Sequence, residues 1–287
     1  MLGELKIPCE SSDFEAMYGD LAAGPANAEL IERIERMVFD YFAALELPER
    51  PTVYDHLLVS LRPKDCIITF NWDPLICQAI ERLRPRAGVP KVISLHGNVA
   101  LVYCCRHSPI VVERRGRCCR RCGGVPGPRK LLYPVRNKNY ESDPVLKCLW
   151  DKAREEIREA MLFTVFGYSA PRSDTAAMDL LRSAWDDTAS RVLADTNIID
   201  IKAKDSDSRN ELESLWEPFM HNQYAEFRAE FWSSRIARSP RRTAEVMVAS
   251  QLDLEWLEEC TLPSNADWDG FWKFYEPLIA REREQIG

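Results

Sequence analysis

Apolar and polar positions alternate in blocks along this chain, and the blocks predict helices and strands in turn. Leu30, Ile34, Val38, Tyr41 and Leu45 recur at helical spacing with Glu and Arg between them, which predicts an amphipathic helix stopped near Pro48 or Pro51. A shorter helix is expected before it, capped around Ser11-Ser12-Asp13 and running through Tyr18. Val53 to Leu61 reads as another helix. Cys66 to Phe70 is the first clear strand, and Asp73-Pro74 suits the start of a helix over Leu75 to Leu83. Lys91 to Leu95 is a second strand after a proline-bounded turn. Leu146, Trp150, Ala153 and Ile157 mark a helix. Met161 to Phe166 then reads as a third strand, Thr175 to Asp187 as a helix and Asn197 to Ile201 as a fourth, short strand. From residue 206 the pattern is helical and rich in Trp and Phe, with breaks expected at Pro240, Pro263 and Pro277.

Strands alternating with helices predict an α/β fold, a Rossmann-like three-layer arrangement with a mostly parallel sheet. Residues 99–130 break the rhythm. They are rich in Cys, Arg, Gly and Pro and read as an inserted module. The expected organisation is therefore a main domain over 1–98 and 131–205, a small insertion over 99–130 and a helical region over 206–287.

Composition narrows the function classes. The 287 residues are 46% hydrophobic and 29% charged, with a net charge of −7. A sizeable core is affordable, and general nucleic-acid binding is disfavoured because phosphate wants a basic surface. No apolar run approaches a membrane span, and no basic segment followed by an apolar stretch suggests a secretory signal. The expected compartment is the cytoplasm. The basic run Arg235 to Arg242 reads as a solvated face, and the carboxyl-terminal aromatics as core packing or as a face for self-association or a partner.

Five of the ten cysteines lie between 104 and 122. In a reducing compartment such clustering points to metal before disulfides. Cys104 and His107 have C-x-x-H spacing, and Cys119 and Cys122 have C-x-x-C spacing followed by Gly123-Gly124. These four can close a tetrahedral shell around a structural zinc, with Cys105 and Cys118 as rival ligands.

The strand ends carry the remaining chemistry. In an open α/β sheet the carboxyl ends of neighbouring strands face the ligand crevice, so Asn71, Asp73 and His96 are expected to converge there. Each has a plainer reading: Asp73 before Pro74 suits a helix cap, and His96 a turn.

Thr69-Phe70-Asn71-Trp72-Asp73 resembles the Thr-x-Asn-x-Asp motif of the sirtuin-like, NAD-consuming superfamily, and Leu95-His96-Gly97 resembles its His-Gly motif. The cysteine-rich insertion follows in the same order as in that family. Tyr133-Pro134 to Lys138-Asn139-Tyr140, with Leu149-Trp150, is similar to a pattern in its bacterial stand-alone members. Gly167-Tyr168-Ser169 with Asp174 resembles the segment that meets the cofactor ribose. The resemblance covers roughly residues 65–205.

It implies NAD as a substrate, with Asn71, Asp73 and His96 catalytic, Thr69, Gly167, Ser169 and Asp174 binding the cofactor, and a structural zinc in the insertion. An imidazole can take a proton from a ribose hydroxyl or an attacking water. The family's opening strand and glycine-rich phosphate loop has no counterpart in this sequence, so the domain is expected to lack both, through truncation or loss. The Phe-Gly-Glu segment of the deacylating members is also missing near Leu132 to Asn137. NAD glycohydrolysis is therefore the leading expectation, with a role in bacterial antiphage defence implied by the resemblance. Two readings remain beside it: a module that binds NAD, ADP-ribose or a protein partner without cleavage, and an NAD-dependent protein deacylase. A serine hydrolase is disfavoured because Gly167 to Pro171 lacks the second glycine of a nucleophile elbow.

Overall fold

The computed structural model describes residues 14–24, 27–107, 110–127, 131–133, 143–168, 170, 174–186, 193–220, 225–252 and 260–286. Two helices open this part, α1 (Phe14–Ala22) and α2 (Ala28–Ala43). Of the apolar stripe on α2, Ile34 is buried and Tyr41 stays exposed. Helix α3 (Val53–Ser60) starts at a capping box in which Thr52 and Asp55 bond reciprocally. Strand β1 (Cys66–Thr69), helix α4 (Leu75–Leu83) and strand β2 (Lys91–Ser94) follow as a parallel β-α-β unit, with Ile67 opposite Val92.

The insertion contains more order than its sequence suggests: β3 (Leu101–Cys104) and β4 (Val111–Arg114) form an antiparallel hairpin. Helix α5 (Pro144–Glu159) is capped by Asp143, whose side chain accepts from the backbone of Val145 and Leu146. Then come β5 (Leu162–Phe166), α6 (Thr175–Asp186), β6 (Asp195–Ile199), α7 (Ser206–Trp216) and β7 (Ala225–Arg228). Strands β5, β6 and β7 form a parallel three-stranded sheet in that order.

Strand β6 begins two residues earlier than the apolar pattern suggests. Asp195 and Thr196 can be buried there because Asp195 pairs with Arg235 at 2.8 Å and the Thr196 hydroxyl donates to the carbonyl of Phe219 at 2.7 Å. Strand β7 adds one strand to the helical region over 206–287, so the sheet extends into it. Short helices α8 (Arg235–Arg238) and α9 (Thr243–Gln251) and the long α10 (Trp268–Ile286) complete the chain. Helix α10 runs through Pro277 rather than ending there. Phe271, Trp272 and Tyr275 before the proline and Ile279 after it are buried in one cluster, which holds both halves on a common axis.

Helices α5, α6 and α7 cover one face, with Trp150, Leu181, Trp185 and Trp216 packed against Ile93, Val165 and Ile198. Helices α3, α4 and α10 build a second cluster, which Ile67 and Val92 join from the opposite face of β1 and β2. The β1-β2 and β5-β6-β7 sheets lie side by side and point the same way. At their starts Glu156, in the last turns of α5, pairs with Lys91 of β2 at 2.7 Å; at their ends the rings of Phe70 and Tyr168 stack at 4.6 Å.

The basic run over 235–242 is not a solvated face. Arg235 and Arg238 both pair with Glu226. Arg241 is buried, pairs with Glu282, and donates to the carbonyls of Val59 and Leu61 at 3.0 and 3.1 Å. Arg241→Ala is expected to cost about 3–5 kcal/mol, because it strands a carboxylate and several carbonyls together. Urea unfolding curves of the two proteins measure the difference.

His56 sits under α10, with Nδ1 3.1 Å from the Tyr275 hydroxyl. Burial lowers its pKa to about 4, against the opposing charge of Asp55. The unfolded chain therefore binds a proton that the folded chain refuses. Stability is full above pH 6.5 and falls as the pH drops toward 4, by about 2–3 kcal/mol. In His56→Gln that part of the acid destabilisation should vanish, as read by melting temperature between pH 7 and pH 4.

Candidate active site and metal centre

The exits of β1 and β2 are built locally. Thr69 Oγ1 accepts from the Asn71 backbone N–H at 3.1 Å, which turns the chain out of β1 and leaves Asn71 exposed. Asp73 caps α4, its Oδ1 accepting from the Leu75 N–H at 3.0 Å. The plainer reading of Asp73 is therefore realised. Burial, and then the Asp73 carboxylate, push the Tyr54 hydroxyl up to about 12. Asn98, buried beyond β2, ties the two exits together: its Nδ2 donates to the Asp73 carbonyl at 2.5 Å and its Oδ1 accepts from the Ala100 N–H at 2.9 Å. His96 is buried at the end of β2, followed by Gly97 at φ 85°, a turn that L side chains resist.

Phe70 gathers these exits. Its ring meets His96 edge-on at 4.8 Å between centroids and stacks on Tyr168 at 4.6 Å. The Tyr168 hydroxyl donates to Asp174 Oδ2 at 3.0 Å, and Asp174 is buried at the start of α6. Gly167, at φ 62°, turns the chain sharply at the end of β5, and its N–H donates to the Ile199 carbonyl at 2.9 Å. One ring thus joins the carboxyl ends of β1, β2 and β5, where an open parallel sheet holds its ligand.

Thr69, Asn71, Asp73 and Gly167 line one cavity of about 650 Å³. A second, of about 570 Å³, continues past Gly167 along Asp200, Lys202 and Glu230 at the ends of β5, β6 and β7. Ser169 lies outside the described residues, as do Pro134 to Tyr140 of the bacterial pattern. Phe70 and Asn98 stand at these exits without a role in the motif reading, and Tyr168, quoted there only within its motif, joins them through its ring. The usable signal is an aromatic side chain at a strand end, among polar neighbours.

The metal centre is assembled by the β3-β4 hairpin and the turn after it. The ligand atoms of Cys104, His107, Cys119 and Cys122 all lie within 4.8 Å of one another. Cys104 and Cys122 sulfurs are 3.8 Å apart, and Cys119 Sγ is 3.4 Å from His107 Nε2. Zinc bonded to sulfur and imidazole nitrogen at normal lengths gives tetrahedral edges of about 3.8 Å and about 3.6 Å, so the donor set fits that ion. Cys105 and Cys118 are exposed and stand outside this group. The backbone N–H of Arg106 holds the Cys104 thiol below its ordinary pKa, which favours the thiolate a metal needs. Gly123 has φ 67°, and a Cβ on Gly124 would strike the Arg106 guanidinium. Glycine is therefore favoured at 123 by its backbone conformation, whereas at 124 a Cβ would only displace the movable end of Arg106.

Solved sirtuin structures are similar to this chain. A Sir2 homologue carrying a serine-to-alanine substitution, in complex with ADP-ribose, is 18% identical with a TM-score of 0.43, over 89% of this chain and 90% of its own. A phenylalanine-to-alanine variant of a Sir2 homologue, also with ADP-ribose, is 17% identical with a TM-score of 0.41 over 83% of each chain. A sirtuin described for the structural basis of substrate affinity is 21% identical with a TM-score of 0.31, and this chain spans 58% of its length. No protein-family model matches the chain, and no curated protein is similar to it. No helix among the described residues is long and apolar enough to cross a membrane.

Proposed function

We propose that this protein binds NAD and hydrolyses its nicotinamide–ribose bond, with a structural zinc in the inserted module. The observation that carries this reading is the meeting of three strand ends at the Phe70 ring, which His96 and Tyr168 reach from β2 and β5, with the exposed Asn71 next to Phe70 in the chain. In this reading the exposed Asn71 amide holds a water or a ribose hydroxyl below the anomeric carbon. His96 takes the proton as nicotinamide leaves and the ribose acquires oxocarbenium character. Asp73 holds the nicotinamide carboxamide, while Thr69 shapes the turn that presents Asn71. Gly167 gives close backbone approach to the ribose and phosphate path, with Ser169 beside it and Asp174 fixing Tyr168.

Cys104, His107, Cys119 and Cys122 would hold the zinc. With four protein donors it has no open position, so its part is to fold the insertion. The motif resemblance adds the expectation of a cytoplasmic role in bacterial antiphage defence through depletion of NAD, with a homo-oligomer or defence partner engaging the carboxyl-terminal region.

A second reading is a module that holds NAD or ADP-ribose without cleaving it. The engagement of Asp73 as a helix cap favours it. Incubation with NAD separates the two: nicotinamide release supports hydrolysis, and nucleotide binding without release supports the module.

A further inference from the structure

The overall charge of the chain hides a local one of opposite sign. Between 101 and 127 the sequence carries six arginines, no lysine and one glutamate, a net charge of +5. The whole chain carries −7, so the residues outside this stretch carry −12. Zinc held by three thiolates and one imidazole would subtract a single charge from the module. The field that a charged partner meets follows this local distribution and not the total.

The fold turns most of this charge outward. Arg115, Arg117, Arg120 and Arg121 are exposed. Glu113, the one acid of the stretch, is only 10% exposed; its Oε1 accepts from the Arg120 backbone N–H at 2.9 Å and lies 3.6 Å from the Arg120 guanidinium. Arg115 leaves the end of β4 and rests its guanidinium over the Phe39 ring at 4.7 Å. Gly116, at φ 85°, and the bond from the Arg117 N–H to the Arg114 carbonyl at 3.0 Å then turn the chain, which places Arg117 at the corner. Arg120 and Arg121 occupy the two positions between Cys119 and Cys122, whose sulfurs belong to the metal group. Among the described residues the side chains of Arg117 and Arg121 make no ion pair and no hydrogen bond. From 115 to 121 the chain can extend at most about 20 Å, the length of about six phosphates along one strand of a duplex.

Three features select the polyanion. Every cation of the stretch is an arginine, whose planar fork grips phosphate in a bidentate way that a lysine cannot. Val125 is its one exposed large apolar side chain among the described residues, too little for a bilayer surface, which wants a broad apolar face. Tyr103 is buried, and 101–127 holds no other aromatic residue and no Asn or Gln. Bases therefore find neither a stacking platform nor an amide to read them, and the phosphates of a duplex are the matching chemistry. We propose that the zinc module docks on the phosphate backbone of duplex nucleic acid, without regard to sequence, through Arg117 and Arg121 with Arg115 and Arg120 beside them. The acidic remainder of the chain is repelled by phosphate, which confines the contact to the module. The proposal does not rest on NAD cleavage, and its readout is binding rather than turnover.

The probe is a fluorescein-labelled DNA duplex of about 20 base pairs, added to the full chain at about 50 mM salt and followed by anisotropy. Saturable binding with a Kd on the order of 1 μM is expected, and the logarithm of the affinity should fall with that of the salt concentration at a slope of about −3 to −4. An RNA duplex of the same sequence distinguishes the two kinds of backbone. Arg117→Gln combined with Arg121→Gln should weaken binding by at least about tenfold and flatten the slope by about 2, with melting temperature and zinc content unchanged. Arg117→Gln alone should flatten it by about 1. Arg281→Gln combined with Arg283→Gln makes the same change of charge on the exposed side of α10 and should leave the affinity within about twofold, because screening confines distant charges. The proposal is overturned if neither duplex binds, or if the module variants bind as well as the unaltered chain. It is equally overturned if both double variants weaken binding alike, or if phosphatidylserine vesicles bind as tightly as the duplexes.

Discussion

His96→Ala is expected to lower nicotinamide release from NAD by about 10²–10⁴-fold, the usual contribution of a positioned acid–base group. Asn71→Ala should show a loss of similar size, because its amide is the exposed polar group at the β1 exit. Binding of ADP-ribose, which lacks nicotinamide, should change far less in either variant. That split separates a chemical role from simple damage to the pocket. His96 packs against the Phe70 ring, so a fall in melting temperature is also expected for His96→Ala. Asn71→Ala lacks that complication and is the cleaner variant. Equal losses of ADP-ribose binding and turnover in both variants would assign these residues to the pocket and not to the reaction.

Cys119→Ser is expected to take the zinc content from one ion per chain to none and to unfold the insertion around it. Cys119 is buried, and its sulfur faces His107. The hairpin it closes has only a small apolar cluster of its own, Cys104, Val111 and Cys119. Structural zinc of this type supplies about 10 kcal/mol or more to the folding of small modules, which three small side chains cannot replace. Cys105→Ser and Cys118→Ser should keep their zinc, since both side chains are exposed and outside the ligand group. Elemental analysis of the three variants, with amide exchange over 101–127, gives the result directly. Metal retained in Cys119→Ser and lost from Cys118→Ser would reassign the ligands.

The parts of this fold that could be read from the sequence are those governed by local pattern. The apolar runs at Cys66 to Thr69 and Leu162 to Phe166 form strands, and the knuckle spacings at 104–107 and 119–122 bring four donors together. Strand β7 was hidden because its four residues, Ala-Glu-Phe-Arg, show only one fully buried apolar side chain. It is held by pairing with β6 and by the charges around Glu226. The basic run at 235–242 misleads for a related reason: Asp195 and Glu282, which pair with its arginines, lie far off in sequence. Asp73 shows a different limit. A helix cap and a ligand-binding carboxylate call for the same residue at the same place, and the bond to the Leu75 N–H shows that one of its oxygens serves α4. An aromatic side chain at a strand end was the only local sign of Phe70's gathering role, because His96, Tyr168 and Trp150 reach it from three separate elements.

The most direct test of the hydrolase reading is to incubate the zinc-loaded full chain with NAD and separate the products by chromatography. Nicotinamide and ADP-ribose should appear in equal amounts, and their formation should collapse in Asn71→Ala and His96→Ala. NAD recovered intact, or cleavage that both variants perform as well as the unaltered protein, would contradict it.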